Sequence, residues 1–589
     1  MANKSPIWAI IAVMCLAAGG WAQDDVVLKA MRDEMARTVS QLRLHDMDKP
    51  YFVAYRVKEL ESASVSASLG SLTQSRPNRM RFLSVELRVG DYSLDNGNFL
   101  STTSFSGGMS RMFRSIEQVP LDDNYLEIRR QLWLATDAEY KKALEDLAGK
   151  RAALQTRKET EHIADFSKEE PETLFVARKA APMDLAGLEK LAREVSAIFK
   201  AMPDIYQSGV AIEFQNSYVR YVNSEGTSFT QAEPMLKIDV RAETQAANGQ
   251  PIRDSIHLWA HSPSELPKTE QIAGRARELG ARLARLRAAE PIETYNGPVL
   301  FEGEAAAEIF AQAFAPGLLA TRMPMSDEPR FEMYFDQLAR RMGGASFLDK
   351  LGGRIMPDFL DVTDNPKLTE YAGTALMGSY RLDDDGVPGR ETKLVEKGIL
   401  KTLLTTRTPV RTIARSSGNR RGMGPAPSNL IVTARNSSPE DQLRKELLRR
   451  VTQRGMGYGI VVRHMGGAEV EDVLRTAALV TRQAAPSATL VEVYKLFPDG
   501  REEPVRGMEL MDLTAAMFKD IVAAGDRPVV YTNLFMLKFG GLFSYGMAAG
   551  MEVPEVSFVV PPLLFEDLTL TKVQGPFPSL PFSKPPLEK

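Results

Sequence analysis

The sequence predicts an α+β protein: N-terminal helices on an antiparallel sheet, a long connecting helix, and a C-terminal barrel-like antiparallel β domain. Three observations predict it. Tyr51 to Val89 and Val210 to Trp259 alternate apolar and polar side chains in short runs rich in β-formers, the period of half-buried strands. Leu266 to Ala289 is a long Arg/Ala/Leu run at helical period, ended by Pro291. From Pro298 onward, short β-rich segments are punctuated by Gly353, Asp383 to Gly386, Gly398, Gly418, Gly422 and Gly424, the turn signals of an antiparallel barrel or sandwich.

The elements follow in order. Lys4 supplies a positive start, Ile7 to Ala18 is apolar, and Gly20-Trp21-Ala22 places small residues before a polar Gln23-Asp24-Asp25. That is the layout of a cleavable signal peptide over residues 1–22, because a bilayer span needs roughly 20 apolar residues. Cys15 is the only cysteine of the 589 residues and falls in this leader, so the mature chain is expected to hold neither a disulfide nor a thiolate. No other stretch is apolar for long enough to span a membrane: Val556 to Phe565 is broken by Pro561-Pro562. The expected location is periplasmic or secreted.

Asp24 to Leu44 places Leu28, Met31, Met35, Val39 and Leu42 at helical spacing, and Pro50 stops the run. Tyr51 to Val57, Ala63 to Leu69 and Met80 to Val89 read as a strand meander, and Gly97 to Ser115 as a Gly/Ser-rich loop. Leu121 to His162 and Met183 to Lys200 read as helices; the charged second half of the former suits a solvated face. Strand Pro298 to Phe301 leads into helix Glu304 to Phe314. With Pro291 as the boundary, residues 23–290 form an N-terminal α+β domain and 291–589 a C-terminal β-rich one.

Charge excludes one class of partner. The chain carries 73 Lys and Arg against 76 Asp and Glu, no electrostatic basis for holding nucleic acid. Glu304 and Glu308 lie four apart on a helix and share a face, which suits either a carboxylate site for a metal or for acid/base work, or a solvated helix start favoured by the dipole. Arg415, Arg420 and Arg421 sit in the loop Thr412 to Leu430, either a substrate-facing loop or an ordinary exposed one. Of the histidines His45, His162, His257, His261 and His464, only His257 and His261 are closely spaced, on a β segment with no third ligand nearby. Asp383-Asp384-Asp385-Gly386 lacks the distal glutamate of a calcium loop and reads as a turn.

An ordered set of motifs resembles the TldD/PmbA family of metallopeptidases, formerly described as modulators of DNA gyrase. The set is Tyr221 to Gly226 (YVNSEG), Leu382 to Pro388 (LDDDGVP), Ser416 to Arg421 (SSGNRR), Pro427 to Leu430 (PSNL) and Phe497 to Gly507 (FPDGREEPVRG). The resemblance implies a zinc site made by an HExxxH helix after a short strand, completed by a cysteine of the C-terminal domain. Here Gly303 to Glu308 occupies the motif as GExxxE: Glu304 stands at the place of the catalytic-type glutamate, while Gly303 and Glu308 replace the two histidines. The resemblance therefore implies no zinc and no metal ligand set. Glu302, Glu304 and Glu308 together would make a hard-oxygen set better suited to calcium or magnesium, with Glu302 on the strand and able to face elsewhere.

The implied role is a non-catalytic partner or peptide-binding subunit. Its expected partners are a TldD/PmbA-type paralogue bearing the zinc motif and unfolded peptide, with Asn419, Arg420 and Arg421 lining the substrate passage. An active metallopeptidase centred on Glu304 and Glu308, drawing on His464, and an envelope interaction protein are the alternatives. Export conflicts with a gyrase role.

Overall fold

The computed structural model describes residues 25–101, 116–157, 163–178, 183–333, 346–422, 424–466, 487–535, 553–581, 583 and 586. The leader 1–22 with Cys15, His162 and most of the Gly/Ser loop lie outside the described residues.

The first helix, α1 (Val26–Gln41), begins where the Asp25 carboxylate accepts from Leu28 N–H at 2.9 Å, the N-cap arrangement that satisfies an otherwise orphaned donor. Strands β1 (Pro50–Ser68) and β2 (Ser71–Val89) form one long hairpin. The two strands expected at Tyr51 to Val57 and Ala63 to Leu69 are one. The charged stretch between them continues the pleat because Glu59 points inward to Arg79, Arg81 and Arg178.

Helices α2 (Tyr125–Thr156) and α3 (Leu185–Ser196) follow, then β3 (Gln207–Asn223), β4 (Ser228–Gln245), β5 (Pro251–Ala260) and α4 (Thr269–Ala288). The sheet runs Ile116–Gln118, β2, β1, β3, β4, with Thr173–Phe175 and β5 sharing the far side of β4. Alternation sorts the faces. Val53, Tyr55 and Val57 meet α1 and α2, while Ala63, Val65 and Ala67 meet α3 and α4. On the opposite face, Phe52, Ala54, Tyr221 and Phe229 pack with Leu382 of the C-terminal half.

That half contains β6 (Thr294–Phe301), α5 (Ala305–Ile309), β7 (Leu360–Asp364), β8 (Thr392–Glu396), β9 (Asn429–Ala434), α6 (Glu440–Gln453), β10 (Gly459–Met465), β11 (Ala488–Leu496), β12 (Met508–Leu510), β13 (Val529–Leu534), β14 (Glu555–Val560) and β15 (Leu563–Lys572). β6, β15, β12, β11 and β10 close into a five-stranded barrel. All its pairings are antiparallel but one: β10 lies parallel to β6, with Val461 opposite Leu300. A second sheet, ordered β8, β7, β9, β14, β13, packs beside it.

Between barrel and sheet sits α5. It has five α-helical residues, then a wider turn at Phe310–Phe314 and a tighter one at Ala315–Leu318, where a single helix to Phe314 was expected. Pro316 prevents a regular helix from continuing. Ala305, Ala306 and Ala307 let the segment sink completely into the core, against Phe310, Phe518 and Phe558.

The motif residues knit the halves together. In YVNSEG, the Asn223 side chain accepts from Glu225 N–H and Thr227 N–H, forming a turn that aims Glu225 at Arg407. Arg407 is buried, donates to both Glu225 oxygens at 2.7 and 2.8 Å and to the Ser167 carbonyl, and lies over Phe166 at 3.9 Å.

Candidate functional site

Gly303 turns the chain from β6 into α5. Its φ of +60° is a left-handed conformation that other residues rarely adopt, and a Cβ there would meet the Arg463 carbonyl at 3.4 Å. The next residue, Glu304, is exposed, whereas Glu308, one turn further on, is buried.

His464 arrives from the end of β10. Its strand slips register on both sides of it, and such bulges re-aim a side chain. His464 Nδ1 faces Glu308 Oε1 at 2.8 Å, and Nε2 faces Asp254 Oδ1 at 3.1 Å. The second Glu308 oxygen accepts from Met465 N–H at 2.7 Å. Asp254 comes from β5 and is held by Arg282 of α4 at 2.5 Å and by Ser255 N–H at 2.8 Å. The site thus joins the edge of the N-terminal sheet to the barrel. The Glu304 carboxylate completes the group: one ligand atom from each of Glu304, Glu308 and His464 lies within 4.8 Å of the others.

The electrostatics follow from the inventory of donors. A neutral imidazole offers one donor and one acceptor, yet both ring nitrogens here face carboxylate oxygens. The trio holds an extra proton in this arrangement. Burial alone would lower the His464 pKa, but the charges of Glu308 and Asp254 raise it well above its ordinary value. Burial pushes Asp254 upward, and His464 and Arg282 overcome it and hold the carboxyl below its ordinary value. Glu308 is raised by burial, against the pull of His464 and with Glu304 adding to the rise.

A cleft of about 660 Å³ opens over Glu304 and His464, walled by Ser255 and Ile256 of β5, by Arg282 of α4 and by Arg444 of α6. Glu302 also lines it, but its carboxylate is taken by Arg444 at 2.7 Å and Arg463 at 2.6 Å. It therefore stands apart from the carboxylate pair.

Asn419, Arg420 and Arg421 do not line this cleft. Asn419 is buried and donates to Asp364 Oδ2 at 2.8 Å. Arg420 bridges Glu86 of the N-terminal sheet at 3.0 Å and Asp385 at 2.7 Å. Arg421 donates to the Glu555 carbonyl at 2.6 Å and lies over Tyr380. Asp383 to Gly386 is a turn, in which the Asp383 carboxylate accepts from Asp385 N–H and Val387 N–H. His257 bonds Asp239 at 2.6 Å, while His261 lies past the end of β5 beside Glu265.

Asp254 and Arg282 carry no motif, and sequence reasoning missed them. The one available signal was an acidic residue at an inward position of an alternating strand.

The donor set does not fit the zinc centre of an HExxxH helix and a cysteine. Position 303 has no side chain and a backbone that disfavours one, position 308 is a carboxylate, and no cysteine follows residue 15.

Comparison with known proteins agrees with the architecture. The family model for the PmbA/TldA metallopeptidase C-terminal domain matches residues 294–572. A metalloprotease of Methanocaldococcus jannaschii is 32% identical over 170 residues, 28% of this chain and 34% of that protein; the match thus spans about a third of that relative. A metalloprotease of Methanothermobacter thermautotrophicus is 23% identical over 358 residues, 60% of this chain and 69% of that one. Among solved structures, a proposed modulator of a DNA gyrase from Thermotoga maritima superposes with a TM-score of 0.56 at 16% identity, covering 88% of this chain and 96% of its own. TldE from Thermococcus kodakarensis gives 0.53 at 13% identity, covering 92% and 100%. These two share the fold. Matched over residues 294–572 by the family's domain model, the C-terminal half of the chain belongs to the TldD/PmbA family.

Proposed function

We propose that this protein is a non-catalytic, peptide-binding member of the TldD/PmbA family, exported to the periplasm or released, and paired with a paralogue that bears the zinc motif. One observation carries the reading. Where the family resemblance puts two histidines and a catalytic glutamate, this chain has a left-handed glycine, an exposed glutamate and a carboxylate bonded to His464. Zinc hydrolysis needs three protein ligands and an open position that acidifies water. The remaining scaffold, with its cleft between sheet edge and barrel, suits an extended chain laid along β5. The N-terminal leader supports export, and among the described residues no helix is long and apolar enough to cross a membrane.

The test uses the chain from residue 23 onward with fluorescent casein. Binding without cleavage is expected, together with recovery of a zinc-motif paralogue from the native envelope fraction. Cleavage that Glu304→Gln abolishes would overturn the reading in favour of an active metallopeptidase. The convergence of Glu304, Glu308 and His464 is the observation that favours this second reading.

A further inference from the structure

We infer that Ser255, His257 and Asp239 form a nucleophile, a base and an orienting carboxylate on the N-terminal sheet, suited to hydrolysing oxygen esters of small carboxylic acids. This triad goes beyond the peptide-binding reading, because its residues lie outside the motif helix and its substrate is an ester, not a peptide bond.

Two paired strands assemble the row. In the register of β4 and β5, Ser255 stands opposite Arg241 and His257 opposite Asp239. Ile252, Leu258 and Ala260 of β5 pack in the core under α3 and α4, so the odd-numbered residues share the other face. Ser255 Oγ lies 2.9 Å from His257 Nε2, and His257 Nδ1 lies 2.6 Å from Asp239 Oδ1. Both distances fall within the reach that joins a nucleophile to its base and the base to the group that orients it.

Protonation follows from the partners. Asp239 is buried. Burial pushes its carboxyl upward, but the bond from His257 and the charge of Lys237, 2.8 Å from Oδ2, hold it below its ordinary value. An ionised carboxylate only accepts, so the ring proton of His257 sits on Nδ1. Nε2 of the neutral ring is then the acceptor, and the Ser255 hydroxyl donates to it. In that tautomer the imidazole can take the proton of the nucleophile. Ser255 lines the cleft of about 660 Å³, whereas the side chains of His257 and Asp239 are only 14% and 3% exposed. The nucleophile is thus approachable and the groups behind it are sheltered.

The reaction balances with water as the only co-reactant. Ser255 Oγ attacks the ester carbonyl carbon while its proton passes to Nε2. Asp239 holds the resulting imidazolium through Nδ1–H. Arg241, directly across the strand pair from Ser255 and 3.6 Å from Asp239 Oδ2, places a guanidinium beside the oxygen that gathers negative charge, since Cβ atoms of such pairs are about 4.5–5.5 Å apart. The alcohol leaves with the proton from Nε2, the acyl group stays on Oγ, and water activated by Nε2 releases the acid and restores the hydroxyl. Each preorganised donor to the oxyanion is worth about 10²–10³ in rate. An alkoxide leaves a tetrahedral carbon more readily than an amine, so a site with one such cation suits esters ahead of peptide bonds.

The experiment uses the chain from residue 23 onward, which has no cysteine. It is incubated with p-nitrophenyl acetate and, separately, with a fluorophosphonate whose point of attachment is read by peptide mass spectrometry. Turnover of the ester and attachment at Ser255 are expected. Ser255→Ala and His257→Ala should each lower kcat about a hundredfold or more. Asp239→Asn keeps nucleophile and base in place and should lower kcat about a hundredfold with KM unchanged; Asp239→Glu should recover part of the loss. Glu278→Gln, an exposed charge on the same cleft, should leave turnover unchanged. Ser255→Cys keeps the test decisive if the histidine variant disturbs the sheet. Its single thiol should react with iodoacetamide at pH 6 about tenfold or more faster than free cysteine, because a neighbouring imidazole favours the thiolate. A thiol no faster than free cysteine, no turnover, or turnover indifferent to Ser255 and His257 overturns the triad. Turnover that survives Ser255→Ala and falls with Glu304→Gln overturns it too, and places the chemistry on the motif helix. Casein binding is scored separately, so loss of the triad and loss of the peptide-binding reading are distinct outcomes.

Discussion

Glu308 and His464 lie far apart in the chain, yet Glu308 takes its two principal bonds from His464 and the residue after it: Oε1 faces Nδ1 of His464 at 2.8 Å and Oε2 accepts from Met465 N–H at 2.7 Å. One short helix is thereby pinned to one barrel strand, and His464 passes the connection on to Asp254 of the N-terminal sheet. Removing one member of a buried charge pair strands the other, which costs about 3–5 kcal/mol. His464→Ala in metal-free protein is expected to lose stability of that order. Glu308→Gln combined with His464→Ala should cost less than the two separate losses together, with a coupling of about 1–3 kcal/mol. Denaturant titration of the four proteins measures it, and strictly additive losses would remove the pair from the account.

A second expectation concerns Gly303. Any side chain there must adopt a φ of +60°, with its Cβ in ordinary contact with the Arg463 carbonyl at 3.4 Å. Gly303→Ala should cost about 1–2 kcal/mol. Restoring both histidines, with Gly303→His and Glu308→His, should therefore not rebuild a zinc centre: the backbone disfavours the first ligand and the thiolate is missing. Zinc retention through gel filtration checks this, and stoichiometric zinc in the double variant would show that the turn can be remodelled.

Much of the fold was legible because its signals are local. Alternation over Val210 to Trp259 became β3, β4 and β5, and the Arg/Ala/Leu run became α4. Legibility failed where a distant partner decides. Lys58 to Ser62 read as a break between strands, because nothing nearby shows that Arg79, Arg81 and Arg178 will neutralise Glu59. Arg420 read as a loop cation, although Glu86 and Asp385 from other segments hold it. At the site, the shared face of Glu304 and Glu308 follows from helical spacing alone. The contribution of His464 depends on a bulge in a strand that approaches from the other end of the domain, and that of Asp254 on how two domains meet.

Arg407 gives a third prediction. It is nearly inaccessible, grips Glu225 through two nitrogens and lies over Phe166. The planar fork makes all of these contacts together, and an ammonium cannot. Arg407→Lys should therefore behave much like Arg407→Met, each losing about 3–5 kcal/mol, and limited proteolysis should cut first between the halves. A lysine variant as stable as the parent would show that charge alone suffices.

The last prediction is a pH dependence centred on Glu59. Burial raises its pKa, but Arg79, Arg178 and Arg81 overcome burial and bring the carboxyl down to about 2 from 4.5. Its folded pKa is depressed, so its contribution is present in full above the unfolded value and is lost as pH falls from about 4.5 toward 2. Each pKa unit corresponds to about 1.4 kcal/mol, so about 3 kcal/mol of stability depends on this one ionisation. Glu59 itself is inaccessible, but Arg79 and Arg178 are half-exposed, so solvent screening makes that figure an upper bound. Glu59→Gln should lower stability at neutral pH and flatten the acid limb of the curve. Unfolding free energies of parent and variant, measured from pH 6 to pH 2, should converge as the acid is protonated. Parallel curves would place the acid sensitivity of the N-terminal sheet elsewhere.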